Sequence, residues 1–491
     1  MNAHLLRQIF STFLVAFTFL NGSYLFAQNT SITNGSWGTP ANWSLGHVPL
    51  AAEDVVIAHN VTISAAATCA NITIQTGKSL DLSGSNTLTV GNNLTIESGS
   101  TLSAGSGSNI NIGYQWIDDG GTFNAGDGTV TFNSQSYYCY ITGTKLNQTF
   151  NNITVAMGTH ALDASGLPTL TLNGSLLFKG SPASANKGSF FTSTTMTVKK
   201  DVTFESGYLG GMFTPMTLYV GGNWTNNATG GERQAFNTYD AGMWTRDKVV
   251  FNGTSPQTIN GNPRIDGGSV YGQNFQGITI DNPTTVTVGN AVTNLFINDN
   301  LTILQGALIY AGTTTRNLFL YQRDSPECLV LSPGTALNTN NNNVTVGGDV
   351  KQTGGTVNST GIFRFFVTDW WIPQHVPTGS YTNLYFDDNP KTLNPGTIKV
   401  AGAFRAGTAS ANSYSGVSLG NVVTGNTMEF TATGAQTVPS FNVTDSQASP
   451  WYFDIGYGGL KFSGGTKTLA GHIGVSEAFD FPGNITLGTF N

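Results

Sequence analysis

The sequence predicts an all-β fold, a right-handed parallel β-helix, and three observations carry that expectation. One unit recurs along the chain: residues 295–308 read LFINDNLTILQGAL, and variants return as LTVGNNLTIESGSTL at 88–102, MTVKKDVTFESGYL at 196–209 and VTVGGDVKQTGGTV at 344–357. Looser copies start at Leu170, Leu218, Ile398 and Ile473. Self-similarity at short period overrides the domain count that a length of 491 residues suggests and favours a stack of coils. The composition agrees, with 61 glycines, only 10% charged residues and a hydrophobic content of 39%, too apolar for a disordered chain. No run with helical periodicity follows the N-terminus, whereas short alternating segments occur throughout.

The first 27 residues form a signal peptide on this reading. His4 and Arg7 precede an apolar stretch from Ile9 to Leu20 that is too short to span a bilayer, and Leu25, Phe26 and Ala27 offer a cleavage site before Gln28. Secretion or display on the outer cell surface is expected, with no stable membrane span after cleavage. The net charge of −7 carries no basic block, so nucleic acid is not an expected partner. Cys69, Cys139 and Cys328 lie far apart without a CxxC pair, and read as buried small apolar residues; a Cys69–Cys139 bridge is the alternative that an oxidising compartment permits.

Residues 28–63 read as an N-terminal cap. Trp37, Pro40, Trp43, Gly46 and Pro49 lead into Glu53 and Asp54, and bulky indoles with prolines can cover the open end of a solenoid, with Trp37, Trp43 and Pro49 as the covering residues. Residues 64–128 are the first coils: triplets such as ITI at 72–74, LDL at 80–82 and LTI at 94–96 place two apolar side chains inward and one small polar residue outward. The spacing of the copies at Met196 and Leu218 puts one turn at about 22 residues, which implies about twenty coils at ~4.8 Å per coil, or ~95 Å of rod. Many strands open with Asn, as at Asn60, Asn71, Asn93, Asn152, Asn300, Asn343 and Asn484, which suits left-handed corners and coil-to-coil hydrogen bonds better than glycosylation.

From Thr129 a larger theme overlies the coil and divides the rest into modules at 129–247, 248–360 and 361–425, with an incomplete one at 426–491. A leading strand (VTF at 130–132, VVF at 249–251, MEF at 428–430) is followed by a return strand opened by Gln148, Gln257 or Gln436. Segments 104–128, 180–194, 230–246 and 312–327 are rich in Gly, Ser and Thr or carry isolated aromatics, and are expected to be loops leaving the coil. The chain reaches Asn491 in mid-coil, from which a longer polypeptide, or self-association through an open C-terminal coil, is expected.

The pattern W-x-x-P-x-x-W-S-x-G-x-V-P of Trp37 to Pro49 followed by D-V-V-I resembles the opening segment of β-solenoid surface proteins of Bacteroidota-type secretion systems, and the start of the eight-glycine domain of some extracellular hyaluronidases. The V-x-F, Q-T-I, F-x-N-I-x-I module is similar to the repeats of Bacteroidota adhesins. The resemblance implies a secreted, adhesin-like cargo of the type IX kind without its sorting domain, and its motifs supply no catalytic residue.

Candidate chemistry is sparse. Glu53-Asp54, Asp118-Asp119 and Asp387-Asp388 are neighbours on extended chain and point to opposite faces, so none flanks a bond alone. Companion motifs of polygalacturonase-like enzymes are absent, and no paired histidines mark a zinc site. No cofactor is expected, although loop carbonyls and Asp leave room for a loosely bound Ca²⁺. Aromatic side chains in the expected loops are the best clue to binding: Trp370, Trp371, Trp451, Tyr452 and Trp244 are glycan-contact candidates, with Tyr137, Tyr138, Tyr140 and Trp224 beside them, because flat rings stack on sugar faces. The sequence thus reads as a structural or adhesive surface protein that meets glycans or extracellular matrix. A glycan-binding module and a polysaccharide lyase or hydrolase are the alternatives.

Overall fold

A computed structural model describes residues 28–135, 137–158, 160–179, 189–192, 195–210, 215–228, 247–263, 271–321, 327–366, 374–387, 391–406, 425–438, 457–469, 475, 477–481 and 485–487. The chain is a parallel β-solenoid of about 16 turns with essentially no helix. It divides into two compact units, Met1–Gly128 and Thr129–Asn491. Among the described residues the one helical element is a 3₁₀ turn at Pro40–Asn42, and no helix is long and apolar enough to cross a membrane.

In the first unit three rows of parallel strands build the coil. Gln28–Thr30, Asp54–Ile57, Asn71–Ile74, Asn93–Ile96 and Gln115–Asp118 pair in that order. Gly35–Ser36, Val61–Ile63, Ser79–Leu82, Thr101–Ala104 and Thr122–Asn124 form the second row. Ala67–Cys69, Thr87–Val90 and Asn109–Ile112 form the third. Because the side-chain period is two, like residues stack: Ile57, Ile74 and Ile96 are buried in one file, Ile72, Leu94 and Trp116 in another. Segment 104–128 is therefore coil rather than loop. Its NINI and QWID strands are in register with the coils before them, and their inward Ile110, Ile112 and Trp116 were hidden by the Gly- and Ser-rich corners around them. Segment 312–327 likewise carries the strand Asn317–Leu320, and 180–194 contains Ser189–Thr192.

Among the described residues glycine, rather than the strand-opening asparagines, supplies the left-handed corners. Gly77, Gly99 and Gly120 have φ of 74°, 73° and 96° and stack on one another, Gly77 N–H donating to Gly99 O at 3.2 Å and Gly99 N–H to Gly120 O at 3.4 Å. Asn340 is the one non-glycine with positive φ among the described residues. The strand-opening asparagines act through their side chains: Asn34 Oδ1 accepts Asn60 N–H at 2.9 Å, Asn60 Oδ1 accepts Ser79 N–H at 3.1 Å, and Asn71 Oδ1 accepts Asn93 N–H at 3.0 Å. Each satisfies a donor of the following coil, which explains why Asn recurs in one register.

The second unit continues the principle with larger side chains. Phe178 stacks on Phe204 at 4.4 Å, Phe204 meets Trp224 at 5.1 Å, and Trp224 meets Phe275 at 5.1 Å, all buried. The return-strand glutamines have a structural purpose. Gln257, 1% exposed, donates Nε2 to Val220 O at 2.8 Å and to Gly222 O, while its Oε1 accepts Gly253 N–H at 2.9 Å. Gln436 bonds Val400 O and Gly402 O at 2.9 and 2.8 Å, and Gln374 bonds Val346 O and Gly348 O at 3.0 and 3.1 Å. In each case a buried amide closes a V-x-G corner on the coil before: it gives the Gly carbonyl a donor and the Val carbonyl a second one, beside the ladder N–H of Asn252, Phe366 or Thr431. Lys467, in register with Gln436, makes the same kind of contact through Nζ to Ala432 O at 2.9 Å and Gly465 O at 3.1 Å.

The turn count falls short of twenty because several turns carry long excursions. Asn147 and Thr169, neighbours on successive coils, are 22 residues apart, whereas Met216 and Asp247 are 31 apart.

Candidate functional site

Trp37, Trp43 and Pro49, the residues expected to cover the end of the coil, lie near the start of the described first unit. Trp37 and Trp43 are buried and meet edge to face at 5.0 Å, and Trp43 Nε1 donates to Trp37 O at 2.7 Å. Trp43 bridges antiparallel to Ser31, and Trp37 N–H donates to Thr62 O at 2.9 Å, so the segment lies on the coil that begins at Asp54. Pro49 is buried beside Glu53, whose Oε2 accepts Asn29 Nδ2 at 3.3 Å and Leu50 N–H at 3.0 Å, with His47 Nε2 3.4 Å from Oε1. Glu53 thus anchors a loop.

Members of the acidic pairs are likewise committed to structure at Asp118 and Asp387. Asp118 is buried, and its Oδ1 accepts Gly120 N–H at 3.1 Å and Gly121 N–H at 2.9 Å, a turn-closing arrangement. Asp387 pairs with Arg364, Oδ2 to Nε at 2.9 Å; Asp388 lies outside the described residues. His375 Nδ1 sits 2.9 Å from Asp349 Oδ1, which also accepts His375 N–H at 2.7 Å. Among the described residues no group of three or more His, Cys, Asp or Glu is placed to hold a metal ion.

All three cysteines are free and buried, so the Cys69–Cys139 bridge does not form. Burial pushes each thiol up to about 12, with the Asp54 charge adding to the shift at Cys69 and Asp349 at Cys328. Reactive thiol chemistry is disfavoured.

Of the aromatic candidates, Trp370, Trp371, Trp451, Tyr452 and Trp244 lie outside the described residues. Trp224 is not in an outward loop. It is a core residue on the strand Trp224–Asn226, fully buried, with Nε1 donating to Gln273 Oε1 at 3.1 Å. Its W-T-N triplet follows the inward-outward alternation, which the preceding Gly-Gly-Asn disguised as loop.

Tyr137, Tyr138 and Tyr140 do reach the surface of the second unit. The strand Cys139–Thr142 turns Cys139 and Ile141 inward, which sends Tyr140 outward. Tyr137 is 69% exposed, and its N–H donates to Ser134 Oγ at 3.0 Å. The Tyr138 ring lies 6.3 Å from that of Tyr140, at 30°, and 5.2 Å from His160, at 71°. Tyr140 pairs in register with Asp163. Three phenol rings with an imidazole and a carboxylate at hand combine flat apolar faces with hydrogen-bonding tips, the equipment for gripping a sugar.

A second surface row was missed in the sequence. Asn274, Phe296, Phe319, Thr345, Arg364, Tyr385 and Arg405 are successive register partners, each at an outward position of its strand. Phe296 stacks on Phe319 at 4.7 Å and 8°, and Phe319 lies 6.1 Å from Tyr321 at 4°. Arg405 Cζ sits 5.0 Å from the Tyr385 ring centre. Its signal was present in the triplets LFL, FRF, LYF and FRA, where the middle position holds an aromatic or Arg instead of the usual Thr. The residues are up to 131 positions apart in sequence, and parallel register alone unites them.

A family model described as a domain of unknown function (DUF8693) matches residues 29–161. Neither the curated proteins nor the solved structures contain a match. The matched region covers the first unit from Asn29 onward and the opening strands of the second, so the chain carries over that stretch a similarity to DUF8693 on a parallel β-solenoid.

Proposed function

We propose that this protein is a secreted or surface-displayed structural and adhesive module, in which a β-solenoid scaffold presents aromatic contact surfaces to glycans. The supporting observation is the cluster of Tyr137, Tyr138, Tyr140 and His160, in which Tyr137 is 69% exposed although burial of its ring in a core would be favourable. Asp118 and Asp387, one from each of two acidic pairs, are engaged in turn closure and ion pairing, which favours adhesion over a lyase or hydrolase. The leader-like first 27 residues and the resemblance of the cap and modules to Bacteroidota surface adhesins support export and a type IX cargo-like character.

The test is a glycan array and a bead-adhesion assay with the wild type and the Tyr137→Ala, Tyr138→Ala double variant. Retention of a defined set of glycans is expected, and loss of two stacking rings should weaken it by about tenfold or more, given ~0.5–1.5 kcal/mol per aromatic contact. Glycan retention unaffected by the substitutions would remove the cluster from the reading. Release of oligosaccharide by the purified protein would replace adhesion with catalysis.

A further inference from the structure

The row from Phe296 to Arg405 differs from every other outward file described above in carrying cations among aromatic rings. Arg364 is 47% exposed at its side chain, Arg405 is exposed, and Tyr385 lies between them in register. Phe366, 38% exposed, follows Arg364 two residues along the same chain and so points to the same side. The two arginines against the single Asp387 leave the row net positive, in a chain whose formal charge is −7 and whose charged residues make up only 10%.

We propose that Arg364, Tyr385 and Arg405 form a contact line for an extended anionic polysaccharide that bears a carboxylate or sulfate on every sugar or every second sugar. This deepens the adhesive reading and rests on it. The backbone positions of the two arginines stand two strand spacings apart, ~9.6 Å at ~4.8 Å per coil, and long side chains on that spacing reach anionic groups on successive or alternate sugars of an extended chain. Guanidinium forks match carboxylate and sulfate oxygens, and Tyr385 between them presents to the intervening pyranose the part of its ring that Arg405 does not cover. Both cations are positioned before any ligand arrives: Asp387 Oδ2 holds Arg364 Nε at 2.9 Å, and the Tyr385 ring holds Arg405 at 5.0 Å. Ordering costs on binding are correspondingly reduced. A neutral glycan would leave the guanidinium groups unused, and the short sugar-spaced line lacks the broad basic footprint of a nucleic-acid surface.

Affinity electrophoresis and calorimetry of the whole protein with polygalacturonate and a chondroitin sulfate hexasaccharide test this, with cellohexaose and single-stranded oligothymidylate as comparators. Binding of both polyanions at low salt is expected, weakening as salt screens the arginines. Arg364→Gln and Arg405→Gln should each reduce affinity by about tenfold, the loss of one charge-assisted contact. Lys351→Gln, which removes the same charge from an exposed position on another file, should leave affinity unchanged. Absence of polyanion binding, an equal loss in Lys351→Gln, or equally tight oligothymidylate binding would each overturn the proposal. Neutral glycans retained through Tyr137 and Tyr138 in the same preparation would leave the adhesive reading standing while this one fails; no retention of any glycan would remove both.

Discussion

Replacement of Gln257 by Leu removes a buried amide that closes a corner of the second unit, and the consequence can be worked out bond by bond. Four contacts are lost: Nε2 to Val220 O and to Gly222 O, and Oε1 from Gly253 N–H and from Asn282 Nδ2, the last at 2.8 Å. Val220 O keeps the Asn252 N–H at 3.1 Å, and Asn282 Nδ2 keeps Ser255 O at 2.8 Å. The loss therefore concentrates on Gly253 N–H and Gly222 O. At ~1–3 kcal/mol for each buried group left without its partner, partly offset by the apolar Leu, the expected destabilisation is about 3 kcal/mol. Against a typical total of ~5–15 kcal/mol this is a large fraction. Urea unfolding followed by tryptophan fluorescence should show a lower midpoint at unchanged slope. Because a solenoid can open coil by coil, amide hydrogen exchange at Phe251 and Ile259 should rise before that of distant coils. A midpoint within error of the wild type would refute the assignment of Gln257 as a corner clamp, and with it the same assignment at Gln374 and Gln436.

Gly113 tolerates no side chain, since a Cβ there would lie 2.0 Å from Gly91 O on the preceding coil; Gly113→Ala should lower the melting temperature of the protein by several degrees, whereas Gly166→Ala, which meets nothing within 4 Å, should not. The three thiols have folded pKa values raised from 9.0 to about 12, so the folded form holds its protons while the unfolded form releases them above pH 9. The stability tied to these neutral thiols is complete below pH 9 and is lost as pH rises from 9 towards 12; the buried phenols of Tyr310, Tyr381 and Tyr457, shifted upward from 10.0 by desolvation, add a loss that begins only above pH 10. A disulfide-exchange reagent at pH 8 should label none of the three cysteines in the native protein and all of them in denaturant; rapid native labelling would contradict their burial.

Alternation made the architecture legible. Triplets such as LTI and VTF announce which side chain faces in, and 22-residue spacing announces the coil. Coils failed to declare themselves where that signal is short: NINI and QWID, set among Gly and Ser, carry only Ile110, Ile112 and Trp116 as inward anchors. Trp224 was assigned to the surface because its strand follows Gly221 and Gly222, yet those glycines exist so that the corner can approach Lys199 and Lys200 of the coil below. The surface row through Arg364, Tyr385 and Arg405 was invisible for a different reason. Adjacency in a solenoid is set by register between coils whose lengths vary, so residues that touch have no fixed separation in the sequence. The tyrosine cluster was found because its members are nearly consecutive.

Some strand pairs of the second unit keep an unbroken register across turns of unequal length. Thr169 and Thr171 meet Thr195 and Thr197 across a turn that includes residues 180–188, and Thr217 meets Lys248 across a longer one, yet the strands on either side keep the pairing they would have without the extra residues. Hydrogen bonds between coils fix the lattice, and the corner merely has to return to it. Excursion length is thus decoupled from scaffold geometry. Such a chain can gain, lose or exchange peptide at its corners without renegotiating the core, which makes it a natural display frame. Grafting a foreign epitope at Gly166, where an added Cβ meets nothing within 4 Å, should leave the flanking coils as they are.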